Sequence, residues 1–317
     1  MQSRPLGETG LEVTRLGLGL AALGRPGYLN LGHGVDLAGR RTIEALEQHT
    51  HDVLDKARQA GIRYVDAARS YGRAEAFLAS WLATRNIAPG EITVSSKWGY
   101  RYTAGWRIAA ETHEIKDLTV GHLDSQYQET LRLLCPHLKL YQIHSATLDV
   151  LSDRAVLERL AAIRGEGAII GLSASGPWQS ETIRRAIDIE VDGARLFGTI
   201  QATWNLLEPS TGPILAKAHA DGVGVIVKEA LANGRLTTRD RTAAARLRQW
   251  RPGVAPDVAA LAAALAQPWA DVVLSGAATV DQLSSNLEAL TVEPGELPAM
   301  AESPELYWSK RSSLTWT

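Results

Sequence analysis

The stretch RLGLGLAALG, residues 15–24, decides between two folds. Residues 15–20 make a short apolar run of the kind that forms a strand covered on both faces. Glycines at 17, 19 and 24 suggest a phosphate-binding turn, but in a doubly wound open sheet that turn must lead straight into a helix. Here residues 25–41 run on as a long loop of polar residues and glycines. The fingerprint fails, and the strand at 15–20 reads instead as the first of a longer series.

Similar runs recur at Ile62–Asp66, Ile92–Ser96, Leu138–Ile143, Ala168–Leu172, Thr199–Ala202, Val223–Val227 and Asp271–Leu274. Stretches with helical periodicity alternate with them: 50–60, 73–84, 120–134, 151–164, 179–187, 212–220, 256–266 and 280–290. In the third of these, Leu123, Tyr127, Leu131 and Leu134 share one stripe. Strict alternation implies a parallel sheet with crossover helices, and this number of repeats in a chain of 317 residues implies an α/β fold of the (β/α)8 (TIM) barrel type. The reading is one domain over 1–317. A hairpin at 3–14 turns at Gly7–Gly10 and closes the bottom of the barrel, the barrel runs from 15 to 292, and an aromatic tail occupies 293–317. An Arg-rich helix within 233–253, following strand seven, is expected to stand over the mouth.

Composition narrows the function. The formal net charge is −2, with acids and bases nearly balanced, which argues against a nucleic-acid partner. Cys135 is the single cysteine, so an intrachain disulfide is impossible; in LRLLCPHL it reads as a buried structural thiol. No apolar stretch reaches the ~20 residues of a membrane span, and the N-terminus lacks the apolar segment of a signal peptide. The expectation is a cytoplasmic protein, monomer or small homo-oligomer, that meets no membrane.

In such a barrel the chemistry gathers at the C-terminal ends of the strands. Asp66 and Tyr71 follow strand two (YVDAARSYG), Lys97 follows strand three (ITVSSKWG), and His144 follows strand four (LYQIHSA). Consecutive strands thus bring a carboxylate, a phenol, an ammonium and an imidazole toward one point. A free phenol titrates near ~10, and a neighbouring ammonium is expected to lower that value. The carboxylate holds the ammonium charged and in place, and the imidazole orients a carbonyl oxygen. The set can protonate an oxygen as charge develops on it, as carbonyl reduction by hydride requires. No clustered ligand spacing suggests a metal.

These motifs resemble, in order and spacing, those of the aldo-keto reductase superfamily, over nearly the full chain. The resemblance implies NADPH extended across the mouth, with NADH possible, and Tyr71 as general acid toward an aldehyde or ketone. It further implies that Ser173 (in GLSASG) and Gln201 (in TIQATWN) hold the nicotinamide carboxamide, although Ala174 replaces a usual asparagine. Leu231 and Gly234 match the loop over the pyrophosphate. Lys228, followed by Glu229, replaces a usual aromatic residue near the cofactor, with a polar contact to phosphate or ribose as one reading. In LSGAATVDQLSSNLEAL, the residues Gly276, Ala277, Thr279, Gln282 and Asn286 match the segment facing the 2′-phosphate, while Ala278 and Gln282 stand where arginine is common. An alternative function is a cofactor-binding sensor or partner subunit with low turnover. The substrate is a small carbonyl or alcohol, shaped by loop residues such as Tyr28, Asn30 and His33; Trp98, Trp106, Trp178 and Trp204 are candidates for an apolar pocket.

Overall fold

In the computed structural model, which describes every residue except Gln2, the apolar runs form parallel strands that close on one another. These are β1 (Leu16–Gly19), β2 (Tyr64–Asp66), β3 (Thr93–Trp98), β4 (Leu138–Ile143), β5 (Ile169–Ser173), β6 (Thr199–Thr203), β7 (Gly224–Lys228) and β8 (Val272–Ser275). Each pairs in parallel with the next, and β8 returns to β1 through Val273–Leu16 and Ser275–Leu18. The crossovers are α1 (Ile43–Gln59), α2 (Ala74–Thr84), α3 (Val120–Leu134), α4 (Arg154–Gly165), α5 (Gln179–Ile187), α6 (Gly212–Ala220), α7 (Pro256–Leu265) and α8 (Val280–Glu288). The chain is a (β/α)8 barrel. No helix among the described residues is long and apolar enough to cross a membrane.

Several helices start where a side-chain oxygen replaces the missing backbone acceptor of the first turn. Thr42 accepts from Ala45 N–H, Asp153 from Ala155 and Val156 N–H, and Thr279 from Gln282 N–H. α1 begins at Ile43, well before residue 50, and polar residues on its inner face hide the apolar stripe of that first half. His49 Nε2 lies 2.6 Å from Ala278 O, Thr50 donates to Leu23 O at 2.9 Å, and His51 Nε2 lies 2.9 Å from Ser80 Oγ.

Below the barrel, Ser3–Pro5 and Glu12–Thr14 pair antiparallel. Leu6 and Val13 of this hairpin pack on Tyr64, Leu140, Ile226 and Val272 and seal the floor. The seal is tight enough to demand glycine at position 7: φ is +51°, and a Cβ there would stand 2.3 Å from Gly224 N.

Three expectations are corrected. Cys135 is exposed, because α3 ends at Leu134 and its apolar stripe does not extend past that residue. The Arg-rich segment forms a helix at Arg241–Trp250, but it packs Ala243 and Leu247 against α7 and Met300, Tyr307 and Trp308 of the C-terminal segment. The preceding loop, as far as Arg239, faces the mouth instead. The tail, read only as aromatic, contains a helix at Pro304–Ser312 started by Ser303, whose side chain accepts from Leu306 N–H.

Outside the barrel wall, the buried carboxylate of Glu75 on α2 gathers three elements. It accepts from Ser96 of β3, from Thr130 of α3 at 2.8 Å, and from Arg69 at 2.6 Å. Arg69 lies in the loop between Asp66 and Tyr71, which also continues the ladder with β3 through Ala67 N–H to Ser95 O and Arg69 N–H to Lys97 O.

Candidate active site

Side chains that point into the barrel build the site from below. Ser95, Gln142 and Gln201 are fully or almost fully buried on β3, β4 and β6. The Gln142 amide donates to Ser95 Oγ at 2.7 Å and to Asp66 Oδ1 at 3.3 Å, and the Gln201 amide donates to Asp66 Oδ1 at 3.1 Å. The other carboxylate oxygen of Asp66 accepts from Lys97 Nζ, which also donates to Ala67 O at 2.9 Å. This ion pair is out of contact with water, the side chains being 0% and 3% exposed. A buried pair persists only when its remaining hydrogen-bonding capacity is met, and Gln142, Gln201 and Ala67 meet it. Gln142 escaped the sequence reading, although its position two residues before His144 places both on one face of β4.

Above the pair, Tyr71 lies over the ammonium, with Lys97 Nζ 5.0 Å from its ring centre. The Tyr71 hydroxyl stands 3.5 Å from His144 Nε2, at the outer limit of a hydrogen bond. The structure thus brings Asp66, Tyr71, Lys97 and His144 together. It corrects the expected tuning of the phenol, whose pKa is raised well above its ordinary value. Burial is the largest cause, followed by the charges of Asp66 and Glu114, with Arg25 partly opposing them. His144 is driven the other way, well below its ordinary value, by burial and then by Lys97, Lys228, Arg25 and Lys116. At neutral pH the pair is a protonated phenol beside an uncharged imidazole.

A cavity of about 460 Å³ runs from Tyr71 and His144 to the start of α8. Of the residues expected to bind cofactor, Gln201, Lys228, Leu231 and Gly234 line its inner and middle parts, and Gly276, Ala277, Gln282 and Asn286 line its far end. Gly276 leaves open space where a side chain would stand. Ser173 and Thr279 do not line it. Ser173 is buried and accepts from Ser145 N–H at 2.8 Å, leaving Ser175 at the surface of the cavity, and Thr279 caps α8. Gln282 folds back to accept from Ala278 N–H at 2.8 Å.

The loop after β1 roofs the far part of this cavity. Leu31 N–H donates to Asn233 O at 3.0 Å, Asn233 Nδ2 donates to Asn30 Oδ1 at 3.1 Å, and Arg239 bridges Leu31 O and Asp36. Tyr28 and Asn30 line the cavity, whereas His33 is buried behind them. None of the four expected tryptophans lines it. Trp98 and Trp204 are core residues, Trp204 against Trp269; Trp106 packs on Phe77, and Trp178 is exposed.

Charged residues surround the mouth in their place. Arg25 is buried and donates to Glu114 at 2.7 Å and to Ser70 O at 2.9 Å. Glu229, expected to turn toward phosphate or ribose, accepts from Arg311 of the 304–312 helix at 2.9 Å. Burial pushes its carboxyl up, but Arg311 and Lys228 more than offset this and bring it down to about 2. Arg25 and Arg311 carry no local sequence signal: one sits in an irregular loop, and the other is brought in from the opposite end of the chain.

Relatives agree with this architecture. At 24% identity, covering 91% of both chains, the sequence is similar to the uncharacterized oxidoreductase YqkF of Bacillus subtilis. The fold is similar to AKR11C1 of Bacillus halodurans in its holo form, an aldo-keto reductase, with a TM-score of 0.70 at 22% identity over 98% of this chain and 96% of that one. It is also similar to PA4992 of Pseudomonas aeruginosa, with a TM-score of 0.66 at 24% identity over 92% and 96%. The model of the aldo/keto reductase family matches residues 16–300, a span that contains every strand of the barrel and all four residues at its mouth, and the chain belongs to that family.

Proposed function

We propose that the chain reduces an aldehyde or ketone to an alcohol, with NADPH or NADH supplying the hydride and Tyr71 the proton. The observation that carries this reading is the protonated Tyr71 hydroxyl beside an uncharged His144 at the inner end of a long cavity. The cavity suits a dinucleotide: it is continuous from Tyr71 to Asn286, and Gly276 leaves its far wall open. Gln201 and Lys228 would hold the nicotinamide end, Leu231, Gly234, Gly276 and Ala277 the middle, and Gln282 and Asn286 the adenosine end. Ser173 and Thr279 would support these from behind. Ala278 and Gln282 bring no positive charge to the start of α8, and Asp257 brings a negative one to the cavity wall, so the margin of NADPH over NADH is small.

His144 orients the carbonyl oxygen toward Tyr71. As hydride reaches the carbon, the oxygen becomes an alkoxide, a stronger base than a phenolate, and takes the Tyr71 proton even though burial has raised that pKa. The reverse reaction needs Tyr71 ionised, which burial and the neighbouring carboxylates oppose. Alcohol oxidation should therefore need a higher pH than carbonyl reduction. Tyr71→Phe is expected to lower reduction of 4-nitrobenzaldehyde by roughly 10²–10⁴-fold, the usual worth of a general acid, with NADPH binding by fluorescence titration unchanged. Wild-type turnover in that variant would overturn the mechanism.

A further inference from the structure

The mouth carries more positive charge than its own carboxylates neutralise. The carboxylates nearest Tyr71 are engaged, Asp66 with Lys97, Glu114 with Arg25, and Glu229 with Arg311, while toward the far end of the cavity Asp36 pairs with Arg239 and Asp257 accepts from Ser285. Two ammonium groups remain. Lys228 Nζ donates to Ser175 Oγ and Thr203 Oγ1, both at 2.9 Å, and Lys116 Nζ donates to Ser145 O at 2.7 Å. Neither forms an ion pair among the described residues. Between them runs a row of hydroxyls, Ser145 Oγ donating to Ser175 Oγ at 3.2 Å. Ser145, Ser175 and Lys228 line the same cavity as Tyr71, and Ser145 directly follows His144.

The two hydrogen bonds of Lys228 leave one ammonium N–H without a partner among the described residues, and an apolar substituent against this wall would strip water from it and return nothing. An anionic oxygen would instead receive charge-assisted hydrogen bonds. We infer that the substrate is a carbonyl compound bearing a carboxylate, whose anionic end is held by Lys228 and the hydroxyls of Ser145 and Ser175 while its carbonyl faces Tyr71 and His144. This rests on the reductase reading above and narrows its substrate class. It also gives Lys228 a role toward substrate in addition to the cofactor.

The test compares 4-oxobutanoate with butanal, which has the same chain length and no charge, with NADPH at pH 7. The wild type is expected to favour the acid in kcat/KM by at least about tenfold, the equivalent of one retained charged contact of ~1.4 kcal/mol. Lys228→Met should collapse that ratio toward one, and Lys228→Arg should restore most of it. In parallel, isothermal titration should detect 4-hydroxybutanoate but not butan-1-ol binding to the wild type, with the binding lost in Lys228→Met. A wild-type ratio near one with butanal reduced would overturn the substrate class and leave the reductase reading intact. A ratio unmoved by Lys228→Met, with NADPH binding weakened, would assign Lys228 to the cofactor alone and also overturn it. Failure to reduce either aldehyde would count against the reductase reading. In that case the titration still decides the anion site: lost binding in Lys228→Met supports it, and no binding to the wild type overturns it.

Discussion

Replacing Lys97 with methionine keeps a straight chain of similar length and removes the charge together with its hydrogen bond to Ala67 O. In the native site that charge is fully enclosed beside Asp66. The variant leaves the Asp66 carboxylate with amide donors from Gln142 and Gln201 alone, at 3.3 and 3.1 Å. Removing one partner of a buried ion pair costs ~3–5 kcal/mol, since the other charge stays buried without compensation. At the usual unfolding entropy per residue, each kcal/mol moves the melting temperature of a 317-residue chain by roughly 1.5 °C, so Lys97→Met should melt roughly 4–8 °C below wild type. Circular dichroism melts at pH 7 would measure it. The double variant Asp66→Asn, Lys97→Met should recover most of the loss, because neither charge then remains. If Lys97→Met melts with the wild type, or the double variant melts no higher than the single one, the cost does not come from an orphaned carboxylate and the account of the site floor is wrong.

Glu229 offers a pH test. Its folded pKa, about 2, lies below the usual carboxyl value of 4.5, so it stabilises the fold above pH 4.5 and loses that contribution as pH falls toward 2. The shift corresponds to about 3 kcal/mol at neutral pH, and in Glu229→Gln the fall in stability between pH 4.5 and pH 2 should be shallower than in wild type by a similar amount. Burial lowers the Lys228 pKa to about 8, Glu229 and Asp66 opposing the shift while Arg311 and Lys97 add to it. The preference for an acidic substrate should therefore fade as pH rises above 8, which a pH series of the 4-oxobutanoate to butanal ratio would read. Gly276→Val fills open cavity space without a backbone conflict. It should leave the melting temperature unchanged and weaken NADPH binding, and equal binding would remove the cofactor from that wall. Arg239→Ala unties the roof from Leu31 and Asp36, so stopped-flow fluorescence should find faster NADPH dissociation.

The alternation of apolar runs and amphipathic helices made the barrel legible, since the strands are buried on both faces and read as mostly apolar runs, with polar residues such as Ser95, Gln142 and Gln201 only where they point into the barrel. The four residues at the mouth were legible for a related reason: all lie at or just beyond strand ends, where register fixes which residues converge. Helix α1 was legible only in its second half, where Val53, Leu54 and Ala57 show the stripe; His49, Thr50 and His51 bury polar groups satisfied by distant partners. Partners joined across long separations left no local trace, as with Arg25–Glu114 and Glu229–Arg311. The direction of the Tyr71 shift was misjudged because it depends first on how deeply the phenol is buried and then on the charges of Asp66 and Glu114 around it, and that is a matter of packing.

Glu75 has a consequence for how this site can vary. The position of Tyr71 is referenced to the outside of the barrel, since Arg69, only two residues before it, is gripped by a carboxylate on α2 that simultaneously grips β3 and α3. Ser175, in the loop after β5, and Lys228, at the end of β7, hang from other strands, whereas Arg25 of the loop after β1 donates to Ser70 O, beside Tyr71, and shares that datum. A change at Thr130, on a helix outside the barrel wall, is therefore expected to loosen the alignment of Tyr71. The placement of Tyr71 is thus anchored in the scaffold's outer layer and in the loop after β1, not in the whole rim.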